Sequence, residues 1–304
     1  MHFFTKTLSP KTLAVGLMIV CSVLISFGGL IMRNIEYGDA WQINFYRAIS
    51  LTTAISIILA FKYRQGVIKK VTEIGFPGLL GGAILSIAGI SFIQALSHTT
   101  VANTLFTMSA IPFITAALGR VFLKEKLSFL TFVAMIVAGF GITIMLAEAI
   151  ELGANYGFFM ALVTAICFSS FTIIVRQNRG VDMLPTLLVS GIIIGSVSFL
   201  MRVENLAIPF NDILLCILWG GGLSGFANWA FIMATRHLVA AEVTLFMLLE
   251  FSLGPLWVWV LFGENPTLGT LLGGTLVICS VLSLAFFELK YSKRKLKRGR
   301  PSPI

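Results

Sequence analysis

Phe92-Ile-Gln-Ala-Leu-Ser-His98-Thr-Thr-Val-Ala102 returns later in the chain as Phe231-Ile-Met-Ala-Thr-Arg-His237-Leu-Val-Ala-Ala241, with five of the eleven positions identical at a constant spacing of 139 residues. The same spacing pairs Met108 with Met247 and Glu125 with Glu264. One register held over that length is an internal duplication, so the chain reads as two related halves.

Both copies sit in long apolar surroundings. Hydrophobic residues make up 57% of the 304, charged residues only 12%, and there are 28 glycines; the mean hydropathy is +0.95. Soluble domains carry about 25% charged residues, so the composition defines a polytopic membrane protein. A bilayer core needs about 20 apolar residues per helix. Such stretches fall near 12–33, 41–61, 75–96, 101–122, 128–147, 156–176, 185–201, 213–234, 241–262 and 268–287. The expected fold is all-α, with ten transmembrane helices. Lys6 and Lys11 precede the first run, which is too long for a signal core and lacks a small-x-small cleavage site; it is expected to stay as a helix.

The net charge of +9 does not point to nucleic acid, because the charges alternate with the spans. With a cytoplasmic amino terminus, all but Arg33, Arg47 and Arg202 of the 22 basic residues fall on the inside. Glu36, Asp39, Glu148, Glu151, Glu204 and Asp212 collect opposite. This distribution follows the positive-inside rule and predicts cytoplasmic termini. The tail Lys290–Arg300 is expected to anchor the topology and to touch anionic lipid.

Five spans per half is an odd number, so the second half enters the membrane inverted. Glu125 lies in Leu-Lys-Glu-Lys on the inside and Glu264 in Phe-Gly-Glu-Asn-Pro on the outside, with lysines only on the cytoplasmic copy. An inverted five-plus-five repeat is a recurring plan of secondary transporters, with the substrate near the midplane. The expected divisions are a terminus 1–11, a first repeat 12–147, an outer linker 148–155, a second repeat 156–287 and a basic tail 288–304. The two glutamates are expected to cap helix amino termini.

Over about residues 12–287 the chain resembles the EamA-type transporters of the drug/metabolite transporter superfamily. The resemblance rests on a proline-containing helix, a glutamate turn and a glycine-rich last helix in each half. Here these read Ser109-Ala-Ile-Pro112 through Leu123-Lys-Glu125, and Glu250-Phe-Ser-Leu-Gly-Pro255 through Phe262-Gly-Glu264. Pro112 and Pro255 are 143 residues apart, one helical turn out of register, so the two halves are expected to bend differently there. The resemblance implies a central cavity lined by spans 1, 3, 4, 6, 8 and 9, with spans 5 and 10 at a scaffold or homodimer side. No cofactor is expected.

Ionisable and polar groups deep in a membrane tend to face a cavity or a partner. Glu250 is the first candidate, about 13 Å into span 9 by helical rise, as a site for a substrate ammonium or a proton. Asn228 and Trp229 follow Gly-Gly-Gly-Leu-Ser-Gly-Phe-Ala and would orient a small polar ligand. Gln94, Asn103 and Tyr46 form a further group, and Phe27, Phe106 and Phe168 would shape an apolar wall. Arg47, about 9 Å below the outer surface, is expected to snorkel outward or to pair with a carboxylate. Together with Pro112, Pro255, Glu125 and Glu264 it is assigned a gating or structural role.

His98 and His237 occupy matched turns on opposite faces, which suits a duplicated turn and not a metal. Cys21, Cys167, Cys216 and Cys279 are isolated and read as free thiols. No phosphate-binding glycine loop, nucleophile elbow or HExxH motif is present. The reading is a carrier of a small amino-acid-like or amphipathic metabolite, exporter or exchanger, in a bacterial inner membrane, with protons and membrane lipids as further partners. The alternatives are a non-transporting scaffold or lipid-handling protein, an integral-membrane enzyme, and a carrier of organic cations, nucleosides or toxic compounds.

Overall fold

The computed structural model describes residues 10–124, 129–151, 153–234 and 240–297. Glu125 and His237 lie outside them, and with them one copy of each expected turn pair. Of the described residues 86% are helical, with no strand among them.

α1 (Pro10–Ile25) and α2 (Gly28–Asn34) form one apolar stretch interrupted at Ser26-Phe27. α3 (Ala40–Tyr63) opens on a capping box: Asp39 accepts the Trp41 and Gln42 N–H groups while the Gln42 side chain accepts the Asp39 N–H. A tight turn leads into α4 (Val67–Glu73) and α5 (Gly75–His98). Thr100 then caps α6 (Val101–Met108) by accepting the Asn103 N–H. α7 (Ile111–Phe122) follows a break at Ser109-Ala110, because Pro112 has no N–H to return to the preceding turn. Pro255 instead lies inside a continuous helix. The two proline helices do differ, as their register mismatch predicts.

The remaining helices are α8 (Phe129–Glu151), α9 (Asn155–Gln177), α10 (Pro185–Met201), α11 (Phe210–Ile217), α12 (Phe226–Ala234), α13 (Ala240–Phe262) and α14 (Leu268–Lys297). Among the described residues, seven helical stretches are long and apolar enough to cross a membrane, from Leu13–Asn34 to Phe210–Ala234. Three shorter apolar helices, Pro185–Met201, Leu249–Phe262 and Leu268–Ser280, stand where the other expected spans were placed. The chain is thus a multi-pass helical membrane protein.

Polar contacts between loops show which helix ends share a face. At one end Arg33 pairs with Glu264 at 2.6 Å, Arg202 with Asp39 at 2.5 Å, and His98 packs on Tyr156. At the other end Lys62 pairs with Asp182 at 2.6 Å. Asp182 is partly buried, which raises its carboxyl pKa, but hydrogen bonds from Lys62, Tyr63 and the Leu184 N–H outweigh that and hold it below its ordinary range.

α8 packs chiefly on α14, where Gly141 and Gly273 face each other so closely that a Cβ on either would strike the other's carbonyl oxygen. Small residues allow such backbone approach where no hydrophobic force draws helices together. The outward face of α8 carries Phe129, Phe132, Ile136 and Phe140, all exposed, as a lipid-facing surface requires. Within the bundle the core forms two apolar layers. One contains Ile43, Ile93, Trp219 and Phe251, and the other Met18, Leu59, Phe171 and Leu184. Phe168 and Met247 pack against both, and a cavity opens between them.

Candidate functional site

The cavity has a volume of about 150 Å³, enough for a small organic molecule. Its wall keeps the 139-residue register of the duplication. Seven pairs of lining residues are related by that spacing: Ile25 and Thr164, Leu51 and Ser190, Leu85 and Ser224, Ala88 and Ala227, Gly89 and Asn228, Phe92 and Phe231, Met108 and Met247. Equivalent positions of both halves therefore surround one space. Arg47 and Glu250 also line it. Their register partners are Thr186 and Ile111, so both charges are departures from the duplication.

Glu250 sits near the middle of α13 and is 7% exposed. Arg47 does not snorkel outward. Its guanidinium lies 4.1 Å from the centre of the Trp219 ring and donates to the Ser224 hydroxyl at 3.2 Å. No ion pair joins Arg47 to Glu250 among the described residues. A cation over an indole face is stabilised by the ring quadrupole, which holds this arginine inward.

The segment from Leu218 to Gly225 that carries Trp219 and Ser224 is wound as a wide π turn. Ser50 of α3 explains it. Its hydroxyl donates to the Ile217 carbonyl at 2.8 Å and accepts the Gly221 N–H at 2.9 Å, replacing the ordinary helical bond between those two groups. A side chain inserted into the helical ladder opens it locally. Gly220 and Gly221 make the insertion possible, because a Cβ on either would collide with the α3 backbone at Arg47 and Ser50. π turns often occur at functional sites; this one delivers the partners of Arg47.

Asn228 and Phe168 line the cavity, and the Asn228 amide donates to the Ser224 carbonyl one turn back at 2.9 Å. The other candidates lie elsewhere. Trp229 packs on Phe226 at 5.8 Å between ring centres, so the indole beside the cavity is that of Trp219. Phe27 stacks on Trp257 at 5.4 Å. Tyr46 donates its hydroxyl to the Leu206 carbonyl at 3.0 Å. Gln94 is buried in α5 outside the cavity wall. The wall also includes Asn44, Arg47 and Leu51 of α3 and Ser190 and Ile194 of α10, so spans 2 and 7 join those that the resemblance implied. The two helices pack along each other, which turns a common strip inward.

Asn103 lies in a second cavity, at the Glu264 end of the helices, with Thr100, Glu148, Glu264, Thr267 and Thr270. Its carboxylates serve as helix caps. Glu264 accepts the Val101 N–H at 2.7 Å and the Arg33 guanidinium, and Glu148 accepts the Gly269 and Thr270 N–H groups at 3.1 and 3.0 Å and the Thr267 hydroxyl. Carboxylates at helix amino termini are stabilised by the exposed N–H groups and the backbone dipole. Among the described residues no cluster of three or more potential His, Cys, Asp or Glu metal ligands exists.

A multi-pass helical bundle thus encloses a polar-spotted cavity lined by register-related positions. Residues 12–147 match the model of the EamA-like transporter family, which belongs to the drug/metabolite transporter superfamily; its members are transporters and not enzymes. The expected resemblance holds on that segment. No curated protein matches the chain. A solved crystal structure, described only as that of a protein, shares the fold with a TM-score of 0.67 at 14% identity, covering 89% of this chain and 96% of its own.

Proposed function

We propose that the chain is a secondary transporter that moves a small amino-acid-like or amphipathic metabolite by alternating access, as an exporter or exchanger. The observation that carries the reading is the cavity wall. Equivalent positions of both halves line one cavity, as expected when two inverted repeats rock about a shared site near the midplane. Glu250, deep in that wall, is the proposed substrate-ammonium or proton site. The ten spans, the inverted symmetry, the cytoplasmic termini and the bacterial inner membrane belong to the same proposal. So does a homodimer formed on the α8 and α14 side.

Proteoliposome counterflow with labelled amino acids and organic cations at two pH values, with Glu250→Gln as control, tests it. Saturable flux lost in the variant supports a carrier. Absence of flux for the whole pool favours the scaffold alternative.

A further inference from the structure

The helices around the central cavity fall into two groups. α1 packs on α12 and α13, and α2 on α13, while α9 packs on α5, α6 and α7. Met18, Ile25 and Asn228 line the cavity from the first group, and Gly89, Phe92 and Phe168 line it from the second. The groups meet along α6 and α13, where Leu105 fills the space beside Gly254. α3 and α10 form a side wall. They are tied to each other near both ends, by Asp39 with Arg202 and by Lys62 with Asp182 just before α10.

The contacts of Arg33 and Glu264 reach from one group to the other. Arg33, in the last turn of α2, donates Nη1 to the Leu96 carbonyl at 3.0 Å and Nη2 to the Thr99 carbonyl at 3.1 Å, both at the end of α5. Glu264, in the turn after α13, accepts the N–H of Val101, the first residue of α6, at 2.7 Å. Arg33 Nε and Glu264 Oε2, 2.6 Å apart, join the two arms. One ion pair therefore fastens both groups at one end of the bundle. Its side chains keep 26% and 19% exposure, and beside Glu264 lies the end cavity, about 260 Å³, with Thr100, Asn103 and Thr267 in its wall. A polar cavity of that size admits water, which can solvate the separated charges, so the pair costs less to part than a fully buried one. We propose that Arg33 and Glu264 are a latch. Closed, they hold the two groups together at the Glu264 end, and they must separate for the central cavity to open there.

The inference rests on the carrier reading for a cavity that opens at either end. A single reporter, Asn228→Cys, tests it in a full-length chain whose Cys21, Cys167, Cys216 and Cys279 are replaced by alanine. A membrane-impermeant thiol reagent is applied to intact cells and to inverted vesicles. Glu36→Cys and Arg179→Cys, at exposed loop positions, mark which preparation presents the Glu264 end and which the Asp182 end. The parent reporter is expected to react slowly from the Glu264 end. Arg33→Gln and Glu264→Gln are each expected to raise that rate at least about fivefold and to lower the rate from the Asp182 end, since a population moved into one state leaves the other. Arg33→Lys is expected to fall between. Faster reaction from both ends would mean a loosened fold and overturns the latch, as do unchanged rates. A parent labelled equally fast from both ends overturns it even if no variant folds. Counterflow of the amino-acid and cation pool keeps the two readings apart. The reciprocal change without flux upholds the latch and overturns the carrier reading, and flux with unchanged labelling does the reverse.

Discussion

The central cavity and the cavity at the Glu264 end both contain a glutamate, an asparagine and hydroxyl side chains, yet their polar groups are treated differently. At the end cavity the two carboxylates are engaged by the amino termini of α6 and α14, by Arg33 and by Thr267. At the centre, Asn44 Nδ2, Arg47 Nε and Ser190 Oγ are buried without a partner among the described residues, where the end cavity leaves only Asn103 Oδ1 so. A carboxylate already held by backbone N–H groups keeps helices together, whereas the two charges of the central wall, Arg47 and Glu250, form no ion pair with each other among the described residues. The type of residue is the same in both places; what differs is whether a helix end is near enough to saturate it.

The largest effect separating the two cavities is expected from Glu250→Gln, which should remove transport or uncouple it from pH while the melting curve stays in place. Loss of one partner of a buried charge contact costs about 2–5 kcal/mol of binding, and counterflow reads it. Wild-type flux at every pH would remove Glu250 from the mechanism. Glu264→Gln should show the reverse pattern, a loss of roughly 1–2 kcal/mol in stability, since the pair with Arg33 is partly exposed but the Val101 N–H also loses its acceptor charge. Thermal melts beside ligand binding check it, and intact stability with lost binding would make the end cavity functional.

Ser50→Ala tests how the central wall is shaped. Removing the hydroxyl leaves the Ile217 carbonyl and the Gly221 N–H without their bridge, at about 1 kcal/mol, and lets the π turn relax away from Arg47. Reduced counterflow of the transported compound is expected to accompany the small loss of stability; unchanged flux would mean that the π turn does not set the position of Trp219 and Ser224.

The smallest effect concerns Asp182, far from both cavities. Its folded pKa is depressed, so its contribution to stability is present above the unfolded value of about 3.9 and is lost as pH falls through the folded one. Asp182→Asn should lower the melting temperature slightly near neutrality and flatten its fall in acid. Melts recorded over that range decide it, and parallel curves for the two proteins would exclude the linkage.

How much of this was legible in advance depended on the kind of question. Most helical stretches follow the apolar runs to within a few residues, because a bilayer rewards length and hydropathy, both local quantities; α14 instead runs on to Lys297, through much of the expected basic tail. Glu250 was singled out by its depth along a span and Asn228 by the glycine-rich run before it, and both lie in the cavity wall with Phe168. Arg47 was misdirected, because depth does not reveal rotation and because the Trp219 face that holds the guanidinium inward lies more than 170 positions away in the chain. Choosing Trp229 over Trp219 has a related cause: the π turn changes the facing of residues relative to a regular helix, and it depends on Ser50 in another helix. Arg33, an exception in the charge pattern, finds its reason in Glu264.

By itself the amino-acid sequence determined the membrane class, the apolar stretches and the 139-residue duplication, since these are written in composition and in periodic local pattern. Only the tertiary structure decided which strip of each helix faces the cavity, that seven register pairs line it together, and which polar groups remain unpartnered there. Those outcomes depend on helix rotation and on contacts between distant segments, which no local pattern encodes.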